Sequence, residues 1–109
     1  MLEYLRHILL ETNYVLKTSK NLTKKQFLND ETLTRAFIRS IEIIGEATKK
    51  ISPELRIKYP TVNWKEMAGT RDKLIHDYLG VDYDIVWDIV ENELPNLKIE
   101  IEHILSIES

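Results

Sequence analysis

The sequence predicts an all-α fold, an antiparallel up-and-down bundle of four or five helices. Only three glycines and three prolines occur among 109 residues, so few positions interrupt a helix. Leu, Ile, Glu and Lys, which favour helices, are abundant. Apolar residues also recur at helical spacing over long stretches, and no pair of alternating segments predicts a β-hairpin. A chain of this length suits a single domain, residues 1–109.

Two long helices are predicted in the first half of the chain. Apolar residues at helical spacing place the first at about residues 2–18. Thr23, followed three residues later by Gln26, forms a capping-box pattern that predicts a short helix. Asp30 suits the N-cap of the second long helix, at about residues 31–51.

Two short helices are predicted next. Ser52 before Pro53 is an N-cap followed by proline at the first helical position. This helix should end before Pro60, because the residue preceding a proline avoids the α region. Asn63 resembles the capped start of another helix.

The last third of the chain predicts a helical turn and then a long helix. Gly69 breaks or bends the chain, a new turn begins at Arg71, and Gly80 is placed to end it. Asp82 then opens the last long helix. Pro95 must kink or restart that helix, because proline lacks a backbone N–H.

Composition excludes several classes of protein. The chain has no cysteine, so disulfides and thiolate metal sites are excluded, and a cytoplasmic location is expected. No apolar run approaches the length of about 20 residues that spans a bilayer, and the N-terminus lacks a signal-peptide pattern. The net charge is −3, so any contact with nucleic acid must use a local patch rather than the overall field.

The segment TRDKLIHDYLG, residues 70–80, brings three chemically useful groups close together. On an uninterrupted helix, Arg71 and Tyr78 would lie about 20° apart, whereas His76 would lie roughly 140° from Arg71. Three explanations remain open. The helix ends near His76, the long Arg71 side chain wraps round, or two chains contribute to one site across a two-fold axis.

The spacing R-x-x-x-x-H-x-Y resembles the signature of the HEPN ribonucleases, and in this form of the HepT-like toxins. The resemblance extends over nearly the whole chain, including IEIIGEATKKIS at 41–52 and the segment 62–95 with its two tryptophans. It implies a helical bundle that dimerises through the motif-bearing helices and a metal-independent endoribonuclease without a cofactor. It also implies an antitoxin partner, a nucleotidyltransferase of the MNT type, that transfers AMP onto the motif tyrosine, here Tyr78.

The resemblance assigns catalysis to Arg71 and His76. A guanidinium can hold a phosphate by two hydrogen bonds, and an imidazole can act as general acid or base near neutral pH. Tyr78 can bind the phosphate or orient His76. Asp72 stands where the family often has Asn, so its carboxylate would repel a phosphate unless Arg71 or Lys73 neutralises it.

Two other readings fit the same residues. In the first, the chain is a non-catalytic subunit that binds nucleotide or substrate within a nucleotidyltransferase complex. Asp72 and the negative net charge favour this interpretation. Alternatively, it is a helical scaffold without a site. Trp64 and Trp87 can stack on bases, but their spacing with Ile and Val favours the core.

Overall fold

The all-α class is confirmed by the computed structural model, which describes residues 2–77 and 80–109, with the backbone alone at residues 71 and 75–77. In chain order the elements are α1 (Glu3–Ser19), α2 (Lys24–Leu28), α3 (Glu31–Lys49), α4 (Pro53–Lys58), α5 (Trp64–Ala68), α6 (Thr70–Leu74), β1 (Ile75–Asp77), β2 (Gly80–Val81), α7 (Tyr83–Asp88), a π-helical segment (Ile89–Glu93) and α8 (Leu94–Glu108).

Capping side chains begin the helices close to the predicted positions. The Thr23 hydroxyl accepts a hydrogen bond from the Gln26 backbone N–H, and the Gln26 side chain accepts one from the Thr23 backbone N–H. Asp30 accepts from the backbone N–H of Leu33 at 3.0 Å. Each cap satisfies backbone donors that have no partner within the first helical turn. The capping box and the N-cap at Asp30 are therefore confirmed.

One predicted cap is wrong. Helix α5 begins at Trp64, directly after Asn63 as expected, but the Asn63 side chain makes no capping hydrogen bond. Trp64 instead anchors this turn, because it is 7% exposed and its indole N–H donates to the carbonyl of Tyr59 at 2.9 Å.

The core lies between α1, α3 and α8, with α1 packed against both of the others. Phe37 of α3 is fully buried and stacks on Phe27 of α2 at 5.2 Å between ring centroids. Phe27 also contacts the ring of Trp87 on α7 at 5.3 Å. These aromatic contacts join the short helix α2 to both α3 and α7.

The last long helix changes its hydrogen-bonding pattern before Pro95. Asp82 caps α7 by accepting from the backbone N–H groups of Asp84 and Ile85. The chain then forms the π-helical segment, and α8 starts with Pro95 in its first turn. Because Pro95 cannot donate a backbone hydrogen bond, a restart at this point is less costly than an unbroken helix.

The predicted helix from Arg71 to Gly80 is wrong, and so is the expectation of no paired strands. Helix α6 ends at Leu74, and β1 then pairs with β2 in antiparallel fashion, with Ile75 opposite Val81. The β-branched side chains of this pair favour extended backbone. The backbone N–H of Asp82 also donates to the carbonyl of Leu74 at 3.0 Å, so a contact between segments replaces the next helical turn.

Candidate functional site

The predicted site residues lie on two different elements. Arg71, Asp72 and Lys73 are in α6, whereas His76 is in β1. The register of the strand pair shifts between Ile75 and Asp77, at the position of His76. Tyr78 lies outside the described residues. The helix therefore ends two residues before His76, as the first of the three explanations requires.

Helix α6 is anchored at both of its ends. Thr70 and Leu74, four residues apart, are each 1% exposed, so one face of this short helix packs on the core. Asp72 and Lys73, between them in sequence, are exposed. The Thr70 hydroxyl donates to the carbonyl of Met67 at 2.9 Å. This contact ties the start of α6 back to α5.

Gly45 of α3 lies directly against this junction. A Cβ at residue 45 would be 3.2 Å from Thr70 Oγ1, 3.4 Å from the Met67 carbonyl oxygen and 3.6 Å from that of Ala68. The missing side chain thus allows α3 to approach the backbone that leads into Arg71. The sequence signal for this contact is a glycine inside a long helix, which costs about 1 kcal/mol relative to alanine and therefore suggests a packing role.

The surface around α7 carries negative charge. Asp84, Asp88 and Glu91 line an open groove of about 520 Å³ together with Lys24 of α2. Lys24 lies 2.9 Å from the Asp84 carboxylate, and this ion pair raises the pKa of Lys24 above its ordinary value. The three carboxylates outnumber the one ammonium here, so this groove does not attract a polyanion such as nucleic acid.

Lys65 and Lys73, two cations that flank Arg71 in sequence, are both exposed. The Glu46 carboxylate lies 3.5 Å from the Lys49 ammonium on the surface of α3, so it forms a salt bridge within that helix. Trp64 and Trp87 are 7% and 8% exposed, so their placement in the core is confirmed.

Neither a metal cluster nor a membrane span is found in the described part of the chain. No group of three or more His, Asp or Glu side chains there is arranged to hold a metal ion. No helix in residues 2–77 or 80–109 is long and apolar enough to cross a membrane.

A family model and several known proteins match this chain over most of its length. The family model described as "Ribonuclease HepT-like" matches residues 1–104. A protein of Caldanaerobacter subterraneus subsp. tengcongensis named "Putative RNase" is 48% identical over 96% of this chain and 94% of its own length. A Methanocaldococcus jannaschii protein of the same name is 43% identical over 94% of this chain and 84% of its own length.

A third relative carries a more specific name. A Thermococcus cleftensis protein named "Probable ribonuclease HepT" is 38% identical over 88% of this chain and 87% of its own length. No solved structure matches the chain.

Proposed function

Because the chain belongs to the ribonuclease HepT-like family, we propose that it is the toxin of a toxin–antitoxin pair and cleaves RNA as a metal-independent endoribonuclease. Its proposed catalytic residues are Arg71 and His76, and two copies of the chain face each other through the motif-bearing segments. A two-fold axis would bring both motifs to one cleft.

One structural observation carries this proposal: the backbone changes from helix to strand between Arg71 and His76. On a continuous helix the two residues would lie roughly 140° apart, too far round to share a phosphate. The helix ends at Leu74, so this angular limit no longer applies. The register shift at His76 adds support, because bulges occur often beside active sites.

The proposed chemistry needs only RNA and protein side chains. The 2′-hydroxyl of RNA attacks the adjacent phosphorus while the bond from phosphorus to the 5′ oxygen breaks. His76 takes the 2′ proton or protonates the leaving oxygen. Arg71 binds the phosphate and stabilises the charge that grows in the transition state. The products are a 2′,3′-cyclic phosphate and a 5′-hydroxyl end.

Tyr78 is the proposed acceptor of an inactivating AMP group. A nucleotidyltransferase of the MNT type would act as antitoxin by transferring AMP onto its hydroxyl. The added phosphate would bring bulk and negative charge beside Arg71 and thereby repel RNA. Lys73, which is exposed, is the proposed group that offsets the charge of Asp72.

A cleavage assay with purified dimer tests the enzyme proposal. We expect wild-type protein, shown by mass to be free of AMP, to cut RNA equally well with and without EDTA. His76→Ala should abolish cleavage and growth arrest while leaving a folded dimer. His103→Ala is the matched control, because His103 is exposed on α8. RNA left intact by AMP-free wild-type dimer would refute the proposal.

The second candidate is a non-catalytic subunit that binds nucleotide or substrate for a nucleotidyltransferase. The exposed carboxylate of Asp72 favours it over catalysis, because a negative charge next to Arg71 in sequence opposes the charge that develops on a scissile phosphate. Intact mass separates the two candidates. AMP added to Tyr78 with a simultaneous loss of RNA cleavage fits only the toxin, whereas binding of the partner without any cleavage fits the subunit.

A further inference from the structure

We propose that Gly45 is a positioning residue for the motif, because its missing side chain sets how closely α3 and the start of α6 approach each other. The inference rests on the proposed function, since it concerns the placement of Arg71 for RNA cleavage. Gly45 does not itself touch the reacting atoms. It acts through Thr70, the residue that precedes Arg71 in the chain.

The contact at Gly45 is formed by groups that have little room to move. Thr70 is 1% exposed, and its hydroxyl is held by the Met67 carbonyl at 2.9 Å. Two of the three atoms nearest to a Cβ at residue 45 are backbone oxygens, those of Met67 and Ala68. A distance of 3.2 Å to Thr70 Oγ1 is shorter than ordinary van der Waals contact, so the junction must shift if a methyl group is added.

Such a shift would reach the motif directly. The Cα atoms of Thr70 and Arg71 are about 3.8 Å apart, as in any trans peptide. Helix α6 has only five residues, and Leu74 anchors its far end in the core. A displacement of Thr70 therefore tilts the segment on which Arg71 lies rather than being absorbed along a long helix.

Gly45→Ala is the primary test, because it separates positioning from stability. Alanine favours a helix interior over glycine by about 1 kcal/mol, which offsets the cost of the shift, so the thermal midpoint should change by only a few degrees. The rate of RNA cleavage should nevertheless fall about 10-fold, since a misplacement of about 1 Å can cost on the order of 100-fold and the shift here is smaller. A purely structural role predicts that activity and stability change together.

Two second-site variants test whether Thr70 transmits the effect. Thr70→Ala removes both the crowding atom and its hydrogen bond to Met67. Thr70→Val loses the same hydrogen bond but keeps a methyl group where Oγ1 lies. We therefore expect Thr70→Ala to restore Gly45→Ala to within about threefold of the Thr70→Ala single variant. Thr70→Val should leave the full loss in place.

Gly69→Ala provides a matched control that lies closer to Arg71 in sequence. A Cβ at residue 69 would be 3.5 Å from the Lys65 carbonyl oxygen and 3.8 Å from that of Glu66, both ordinary contacts. The φ of Gly69 is −92°, which any residue adopts. Cleavage by Gly69→Ala should therefore stay within about twofold of wild type, because the new methyl group displaces nothing.

The decisive results are distinct from those that decide the proposed function. If wild type cuts RNA and Gly45→Ala cuts it equally fast, the positioning role is wrong while the enzyme proposal stands. Equal rescue of Gly45→Ala by Thr70→Ala and by Thr70→Val would also overturn the positioning role. If wild type leaves RNA intact, the backbone amide NMR chemical shifts of residues 70–74 still test whether Gly45 positions the start of α6. Gly45→Ala should change the chemical shifts of residues 70–74, whereas Gly69→Ala should leave those of residues 72–74 unchanged. Unchanged shifts in Gly45→Ala would refute the inference.

Discussion

Replacing Trp87 by alanine tests whether this indole belongs to the core or forms a surface on which RNA bases stack. Trp87 is 8% exposed, and its ring lies 5.3 Å from that of Phe27. Burying an aromatic side chain removes about 150–250 Å² from water, which is worth roughly 4–6 kcal/mol at about 25 cal/mol per Å². Areas counted from an extended chain overstate burial, so we expect a loss of about 3–5 kcal/mol in the free energy of unfolding.

Urea denaturation at one fixed protein concentration is the appropriate assay, because association of the chain would change its apparent stability. A domain of this kind is stable by about 5–15 kcal/mol, so Trp87→Ala removes a large part of the total. Trp87→Phe keeps a ring against Phe27 and should cost only about 1–2 kcal/mol. It provides a folded variant even where Trp87→Ala unfolds.

The core assignment also predicts what happens to RNA cleavage. Folded Trp87→Phe should cut RNA at the wild-type rate at temperatures well below its thermal midpoint. The core assignment is refuted if Trp87→Ala has the same urea midpoint of unfolding as wild type while its affinity for RNA falls. A surface on which bases stack contributes about 1–3 kcal/mol per base to binding and does not contribute to folding.

Two further predictions concern the caps and the C-terminus. Asp30→Ala removes the acceptor for the Leu33 N–H and should cost about 1 kcal/mol, measured by thermal unfolding, whereas Asp30→Asn should cost little. A hydrogen bond from Lys58 lowers the pKa of Glu108 below its ordinary value of 4.5. The charged form therefore stabilises the fold above pH 4.5, and this contribution disappears as the pH falls through the lowered pKa. Glu108→Gln should lack that acid-dependent part of unfolding, and equal pH profiles for the two proteins would contradict it.

Local signals in the sequence predicted the helix starts well. A capping box needs only Thr23 and Gln26, three residues apart, and the cap at Asp30 needs only the next helical turn. Both interactions join residues within one helical turn, whereas at Asn63 the same kind of local pattern forms no side-chain cap. The same applies to Pro95, whose missing N–H decides where α8 restarts.

Burial of the two tryptophans could also be inferred from spacing alone. Trp87 precedes Val90 by three residues and Leu94 by seven, and this helical periodicity is a property of a single segment. The residues that contact Trp87 could not be inferred in this way. Nothing near Trp87 in sequence indicates that Phe27 would lie against it, because the two come from helices 60 positions apart.

The sequence by itself determined the helical class, the capped helix starts and the spacing of Arg71 and His76, because all of these depend on neighbours along the chain. Only the tertiary structure decided where the motif helix ends. Helix α6 ends at Leu74, where Ile75 pairs with Val81, and Gly45, far back in α3, lets that helix approach Thr70 at the start of α6. Such contacts join distant segments, and their effect on local structure overrides helix propensity, which amounts to less than about 1 kcal/mol per residue.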